Sequence, residues 1–530
     1  MPAYLSNASN LPWLVLKFGG TSVGKFLDAI TGTILKNALK HYRIVVVCSA
    51  LSNDIKSKGT TSRLIRAAEA VLQNQGKAHI EIVEDIMQDH LAVAEQHIQD
   101  PDVLAQLKAS ITKECLRLKV FLEAAEVIDE VSPRSRDIII GTGEKLACHI
   151  VAASLLQKGV DAQYVSLEKL IRRSFDINAL DQTFYDYLAD ELATTIGGCG
   201  TQVPVVTGFF GPVPGSLLTT IGRGYTDLTA ALIAVGIRAH ELQVWKEVDG
   251  IFTADPRKVP SARLLKIITP EEAAELTYYG SEVIHPFTME QVIRAHIPIR
   301  IKNVQNPDGC GTIIFPDLGG TGTTNSRSLG DVSSPTHSPR LLLENGYHLD
   351  LSRRHPTAVT IKDHVVVLNV HSNRKSVSHG FFAHIFSTLD KYGIVVDLIS
   401  TSEVHVSMAL GAPSTTASHS ADGATPLEKA VTELSGLGTV DILRDMAILS
   451  LVGKQMRNMV GVAGKMFTTL AEANVNIEMI SQGASEINIS CIIHQDRAVD
   501  ALRAIHNTLL DVSNISLVDE MGMEMGLGSD

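Results

Sequence analysis

Leu14-Val15-Leu16-Lys17-Phe18-Gly19-Gly20-Thr21-Ser22-Val23-Gly24-Lys25-Phe26 is the stretch on which the fold turns. An apolar run ends at a lysine, passes through paired glycines and hydroxyls, and enters a helical pattern. That order predicts a strand, a turn and a helix N-terminus. Ammonium groups and unpaired backbone N–H groups then converge on one point, which suits an anion and most often a phosphate. Gly19 to Lys25 also fits the first seven positions of a P-loop, whose next residue has to be Ser or Thr to hold Mg²⁺. Here that residue is Phe26, which ligates no metal. The P-loop is rejected and the phosphate site is kept.

Outward from this point, short β-branched runs alternate with helical patterns as far as about residue 315. Ile44–Val47, Val203–Val206 and Leu242–Trp245 read as strands buried on both faces, and Ile297–Ile301 as a strand nearer an edge because of Pro298. Asp227 to Ala239 reads as a helix. Thr269-Pro270-Glu271-Glu272 opens another, with an N-cap, an N1 proline and a capping-box glutamate. The alternation predicts an α/β fold with a mainly parallel sheet and helices on both faces. The polar helical region 62–125 reads as an inserted helical subdomain, and the Gly/Ser/Thr/Pro-rich stretch 316–339 as a linker.

A chain of 530 residues suits two to four domains. Its 45% hydrophobic and 20% charged content is that of an ordinary soluble globular protein. A net charge of −12 argues against nucleic acid as a partner. The six cysteines are scattered without a C-x-x-C pair, which predicts free thiols in a reducing compartment. No signal peptide or uncharged membrane-length run is present, so a cytoplasmic protein without a membrane partner is expected.

The C-terminal part carries a repeat offset by 81 residues: Gly380, Phe386, Leu389, Ile394, Ile399 and Ser400 recur as Gly461, Phe467, Leu470, Val475, Ile480 and Ser481. The copies begin at Val365–Leu368 and Met446–Leu449 and run strand, Gly-capped helix, strand, strand, helix. The order βαββα(β) gives a four-stranded antiparallel sheet with two helices on one face. Two such units usually pack side by side and bind a small ligand between them. Residues 411–426 read as a loop within the first copy.

Three further motifs carry chemistry. Thr219-Thr220-Ile221-Gly222-Arg223-Gly224-Tyr225-Thr226-Asp227 leads from a strand into a helix, bringing an arginine fork suited to a carboxylate near an acid that caps the helix or acts in the site. Trp245 to Arg257, with Asp255 and Phe252, begins at a strand end, where ligands sit in open α/β sheets. In Gly141-Thr142-Gly143-Glu144, the glutamate is either an exposed helix-start residue or the holder of a substrate ammonium.

Taken together, K-F-G-G-T-S (17–22), G-x-G-E (141–144), G-R-G-x-T-D (222–227) and D-G-I-F-T-A-D-P-R (249–257) resemble the aspartate kinases of the amino-acid kinase family. Gly280-Ser281-Glu282-Val283-Ile284-His285-Pro286 and the tandem units, which look like ACT domains, extend the likeness from about 13 to 523. The wording around His285 is most similar to fungal members. The resemblance implies an amino-acid kinase three-layer catalytic domain over 13–315 and a linker over 316–357. Two ferredoxin-like βαββαβ ACT domains over 358–443 and 444–523 would follow.

The implied reaction is ATP-dependent phosphorylation of the side-chain carboxylate of L-aspartate, opening a route to threonine, methionine and isoleucine. The nucleophile is ionised at neutral pH, so positioning and charge neutralisation suffice. On the resemblance, Lys17 neutralises the γ-phosphoryl group, Gly19, Gly20, Thr21 and Ser22 cradle it, and Asp227 orients Lys17 or acts near the metal. Arg223 and Glu144 clamp aspartate, with Ser49 and Thr61 (or Thr60) as further contacts. Lys246, Glu247, Phe252, Asp255, Arg257, Ser281 and Glu282 line the ATP site, and Mg²⁺ arrives on the phosphates. Bacterial members commonly carry a lysine at the position of Glu282, and Arg257 or Lys302 is the candidate substitute. His285 either assists the site or is structural.

Feedback inhibition by an end-product amino acid is expected, threonine first and lysine as the alternative. Ser378, Gly380, Phe381, Phe382, Val396 and Asp397 would face Asn474, Val475, Asn476 and Ile477 around it. At least a homodimer is expected. The competing readings are a related kinase acting on glutamate, N-acetylglutamate or UMP, and a non-catalytic amino-acid sensor.

Overall fold

The computed structural model describes residues 4–53, 55–73, 76–173, 175, 180–211, 213, 216, 224–278, 284–315, 355–372, 380–402, 405–411, 425–454, 456, 459–483 and 487–511. It comprises two compact units. One is Met1–Ile251, Lys266–Pro270 and Ile284–Ser326; the other is Phe252–Leu265, Glu271–Val283 and Arg327–Asp530.

In the first unit an eight-stranded sheet runs β3-β4-β2-β1-β5-β7-β8-β6. The strands are β1 (Trp13–Phe18), β2 (Arg43–Cys48), β3 (Ala162–Val165), β4 (Val203–Thr207), β5 (Glu241–Lys246), β6 (Ile267–Ile268), β7 (Ile299–Asn303) and β8 (Thr312–Ile314). All neighbours pair in parallel except β7 with β8. β1, β2 and β4 are almost wholly buried, as their continuous apolar runs require for strands covered on both faces. The Ile299 strand, expected nearer an edge, is third from one end of the sheet, with β7 between β5 and β8. Pro298 precedes the strand and accepts from Leu242 N–H through its carbonyl, so its missing donor interrupts no ladder.

The helical insertion consists of Thr60–Leu72, Ala78–His97 and Pro101–Ile128. Asp100 caps the last by accepting from Asp102 N–H and Val103 N–H, with Pro101 at the first helical position. Leu64, Val83, Ile86, Ile111, Leu118 and Leu122 join the core that backs β1 and β2. Phe26, the residue that excludes a P-loop, packs against the same core. The helix Pro133–Gln157 is long and apolar enough to cross a membrane, but 89% of its apolar window is buried within the protein. All six cysteines are free thiols.

The second unit holds a six-stranded sheet, β10-β11-β9-β12-β14-β13. Its strands are β9 (Ala358–Ser372), β10 (Val396–Thr401), β11 (His405–Gly411), β12 (Gly438–Val452), β13 (Met479–Ser481) and β14 (Asn488–His494). The repeat is legible in the backbone. Gly380 (φ 91°) and Gly461 (φ 87°) open equivalent helices, Phe381–Lys391 and Val462–Glu472. Gly393 (φ 64°) and Asn474 (φ 53°), also 81 apart, follow their ends.

The two copies are intertwined rather than merely adjacent. The later part of β9 pairs with β11 and with Gly438–Leu443, completing the first copy. The early residues Ala358–Lys362 pair with Ile448–Val452, so the second copy takes its fourth strand from ahead of the first. His364 (φ 59°) and Asp445 (φ 57°) mark the crossover, where the register slips between Leu443 and Ile448. Segment 252–265 packs into the same unit. Ala254 and Val259 join its core, Val359 N–H donates to Thr253 O at 2.8 Å, and Thr253 Oγ1 lies 2.8 Å from His506 Nε2.

Candidate active site

Lys17 is the penultimate residue of β1, at the carboxyl edge of the parallel sheet, the usual place for a ligand. It is in register with Val47 and Val244, so Lys246, two residues on, shares its face. Phe18, Trp245 and Lys302 occupy the other face. Phe18 stacks on Trp245 with centroids 5.9 Å apart, and Lys302 Nζ sits 5.0 Å over the Trp245 ring. Lys302 is therefore engaged on the side of the sheet opposite Lys17, and burial lowers its pKa.

The helix Gly20–Ala29 begins directly after β1, and no side chain caps it at Gly19. Its first-turn N–H groups face the strand end. The glycines serve a second purpose. A Cβ at Gly20 would collide with the Ala50 carbonyl oxygen, and one at Gly24 with that of Ser52. Ser52 N–H also donates to Gly20 O at 3.1 Å. The spacing that mimics a P-loop thus lets the helix lie against the chain leaving β2.

Lys17 Nζ stands 2.7 Å from Asp227 Oδ1, with side chains 10% and 16% exposed. Asp227 lies in the first turn of the helix Tyr225–Gly236. Glu144 is buried beside them. It accepts from Thr226 Oγ1 at 2.7 Å and from Phe209 N–H at 2.5 Å. Burial raises its pKa to about 7, against the opposing pull of Thr226, Phe209, Tyr225 and Lys17.

G-x-G-E lies within the long helix Pro133–Gln157, not at a helix start. Gly141 is there because a Cβ would strike the Phe209 ring, and Gly143 because one would meet Ala50 and Thr60. The exposed helix-start reading of Glu144 is thereby corrected. Sequence reasoning missed Tyr225, Thr226 and Phe209 as its partners; the first two adjoin Asp227 in the motif, whereas Phe209 carries no signal.

Ser49 is half-buried and donates its N–H to Phe18 O at 3.2 Å. Thr60 is buried and packs toward Gly143, while Thr61 is half-buried in the first helical turn. Thr21 is half-buried and Ser22 buried. Glu247, just after Lys246, has Lys25 Nζ at 3.7 Å. His285 is exposed at the N-terminus of Pro286–Arg294. Arg223, Gly222, Ser281, Glu282 and Ser378 lie outside the described residues, as does most of 316–357.

In the second unit, Phe252 forms a bridge with Leu264. Arg257 is 87% exposed and gives Nε and Nη2 to Asp255 at 3.0 and 2.8 Å, one turn across its own loop. Phe381 and Val475 are buried, Phe382 and Asn476 are exposed, and Val396, Asp397 and Ile477 are intermediate. Asn476 Nδ2 donates to Glu478 at 2.8 Å. Asn474 is a left-handed residue that closes its helix, where the first copy has Gly393.

Residues 12–303 match the amino acid kinase family, and 449–509 match an ACT domain. The aspartokinase of Schizosaccharomyces pombe is 54% identical over 96% of this chain and 94% of its own. That of Saccharomyces cerevisiae is 52% identical over 95% and 94%. Among solved structures, E. coli aspartokinase III in complex with aspartate and ADP (R-state) is 26% identical, covering 94% of this chain and 100% of its own, with a TM-score of 0.67. Its complex with lysine and aspartate (T-state) covers 94% and 99%, with a TM-score of 0.68. The chain belongs to the amino acid kinase family, among its aspartokinases.

Proposed function

We propose that the chain transfers the γ-phosphoryl group of ATP to the side-chain carboxylate of L-aspartate, with Lys17 meeting the transferred charge. The Lys17–Asp227 pair beside buried Glu144 carries this reading. Asp227 holds the ammonium at the strand end, next to the open helix N-terminus formed by Gly19, Gly20, Thr21 and Ser22. Anionic oxygens there gain a cation and backbone donors together, which is the stabilisation phosphoryl transfer requires. The acceptor carboxylate needs no base. Glu144 serves as the counter-charge for the substrate ammonium, Arg223 as the fork for its α-carboxylate, and Ser49 and Thr61 as polar contacts.

Lys246, Glu247, Phe252, Asp255, Arg257, Ser281 and Glu282 complete the nucleotide site in this reading. In this reading Mg²⁺ is carried in on the phosphates and steadied near Asp227, since it favours few protein ligands. The domain boundaries proposed are 13–315 catalytic, 316–357 linking, and 358–443 and 444–523 regulatory, with Ala358–Lys362 serving the second regulatory copy and segment 252–265 packing into the second unit.

The effector reading places an amino acid at the start of Phe381–Lys391, with Gly380, Phe381, Phe382, Val396 and Asp397 around it, Ser378 adjoining, and Asn474 to Ile477 opposite. Threonine is the first effector to test and lysine the second. Exposed Phe382 and Phe386 on the helix Phe381–Lys391, Val395 just before edge strand β10 and Ile399 within it support assembly into at least a homodimer. The cytoplasm is the compartment proposed. Sedimentation with and without each amino acid, alongside turnover, tests effector and assembly together.

A further inference from the structure

We propose that Asp397 is a carboxylate switch. The ammonium of Lys362 and the hydroxyl of Tyr278 hold it in the unliganded chain, and the ammonium of an amino-acid effector displaces them and frees the end of the helix Pro270–Tyr278. The inference rests on the reading of Asp397 as an effector contact and adds how occupancy there is transmitted.

Asp397 sits on edge strand β10 with its side chain only 5% exposed. Lys362 Nζ reaches one carboxylate oxygen at 2.7 Å, and Tyr278 Oη donates to the other at 3.2 Å. The Lys362 ammonium also lies 5.1 Å over the Tyr278 ring, which closes the triangle. A carboxylate this shielded demands a cation. An effector arriving here therefore exchanges one ammonium for another. Lys362 is 27% exposed on a long flexible stem and can return to water. Burial and Asp397 push the Tyr278 phenol up to about 12, so it stays a donor at neutral pH.

Tyr278 is the last residue of its helix, and the rest of that helix is fixed elsewhere. Glu272 accepts from Thr357 Oγ1 and Lys454 N–H, and Asn488 Nδ2 donates to Glu275. Those three partners flank β9, β12 and β14 where they build the second copy, whereas Asp397 belongs to the first. The helix thus has one end anchored on each copy, and at the Tyr278 end the contact to the first copy runs through the Asp397 carboxylate. Tyr279, Gly280, Ser281 and Glu282 follow in sequence, and the chain re-enters the first unit at Ile284.

Calorimetric titration of the full chain with L-threonine and with L-lysine tests this, using Tyr278→Phe, Lys362→Met and Asp397→Asn, with circular dichroism as the check on folding. Because the effector has to break the resident contacts, Tyr278→Phe and Lys362→Met should each tighten its Kd about five-fold or more, within the usual range of coupling. Asp397→Asn should abolish binding. An unchanged or weaker Kd in either Tyr278→Phe or Lys362→Met, with binding lost in Asp397→Asn, overturns the switch but leaves the effector site standing. Wild-type binding by Asp397→Asn, or no binding of either amino acid to the wild type, overturns the effector reading itself.

Discussion

Lys17 and Asp227 meet at 2.7 Å, although 210 residues separate them in sequence (227 − 17 = 210). The first lies at the penultimate position of a strand and the second in the first turn of a helix. At this distance the pair is a charge-assisted ammonium–carboxylate contact. A lysine ammonium has three donors, so the one engaged by Asp227 leaves others for a phosphoryl oxygen. Replacing Lys17 by Met should lower kcat by at least ~10²-fold, the scale for loss of a transition-state charge partner. Circular dichroism should be unchanged; near wild-type turnover would remove this lysine from its role.

Glu144 gives the site a pH signature. Its carboxyl is held near 7 by burial, so the free enzyme is half protonated there. A protonated Glu144 offers no counter-charge to an ammonium. The sign follows: kcat/KM for aspartate rises with pH through about 7 and levels above it. For the fold the sign is opposite. A raised carboxyl pKa contributes stability below the ordinary 4.5 that is lost as pH rises through about 7. Glu144→Gln should flatten the inflection in kcat/KM and raise KM about tenfold, the loss of one charge-assisted contact. An inflection that survives in this variant belongs to another group.

The glycines make a structural prediction. Gly20→Ala drives a methyl into the Ala50 carbonyl and should cost about 1–3 kcal/mol, as overpacking does. Gly197, with no atom within 4 Å of its built Cβ, is the control, and its alanine variant should melt like the wild type. Equal melting temperatures for both would mean that the Gly20 contact relaxes freely.

Asn474 separates a backbone role from a ligand role. Its φ of 53° follows the helix end where the repeat has Gly393. Asn474→Val should destabilise the chain by about 1–2 kcal/mol through left-handed strain, whereas Asn474→Gly should be tolerated. If Asn474→Gly also retains the wild-type effector Kd, the residue acts through the backbone alone. A weakened Kd restores it as a contact.

Much of this was legible in the chain because single residues carried it. The β1 run with Lys17, the proline-marked helix at 270 and the 81-residue repeat each follow from local chemistry, and each has its counterpart in the structure. What escaped was set by distant pairing. Nothing near Pro298 reveals that β8 pairs beyond β7, and nothing near Ala358 reveals that its first residues complete the second copy. Glu144 was open to reading as an exposed helix-start residue because the groups that crowd Gly141 and Gly143 come from the distant Phe209, Ala50 and Thr60. Asp397 was legible as an acid, but its occupation by Lys362 and Tyr278 was not.

The most direct test incubates the purified chain with ATP, Mg²⁺ and L-aspartate in the presence of hydroxylamine. Formation of aspartyl hydroxamate in step with ADP release is predicted, with none from Lys17→Met and none when glutamate, N-acetylglutamate or UMP replaces aspartate. Persistent absence of the hydroxamate from folded wild-type protein would contradict the account.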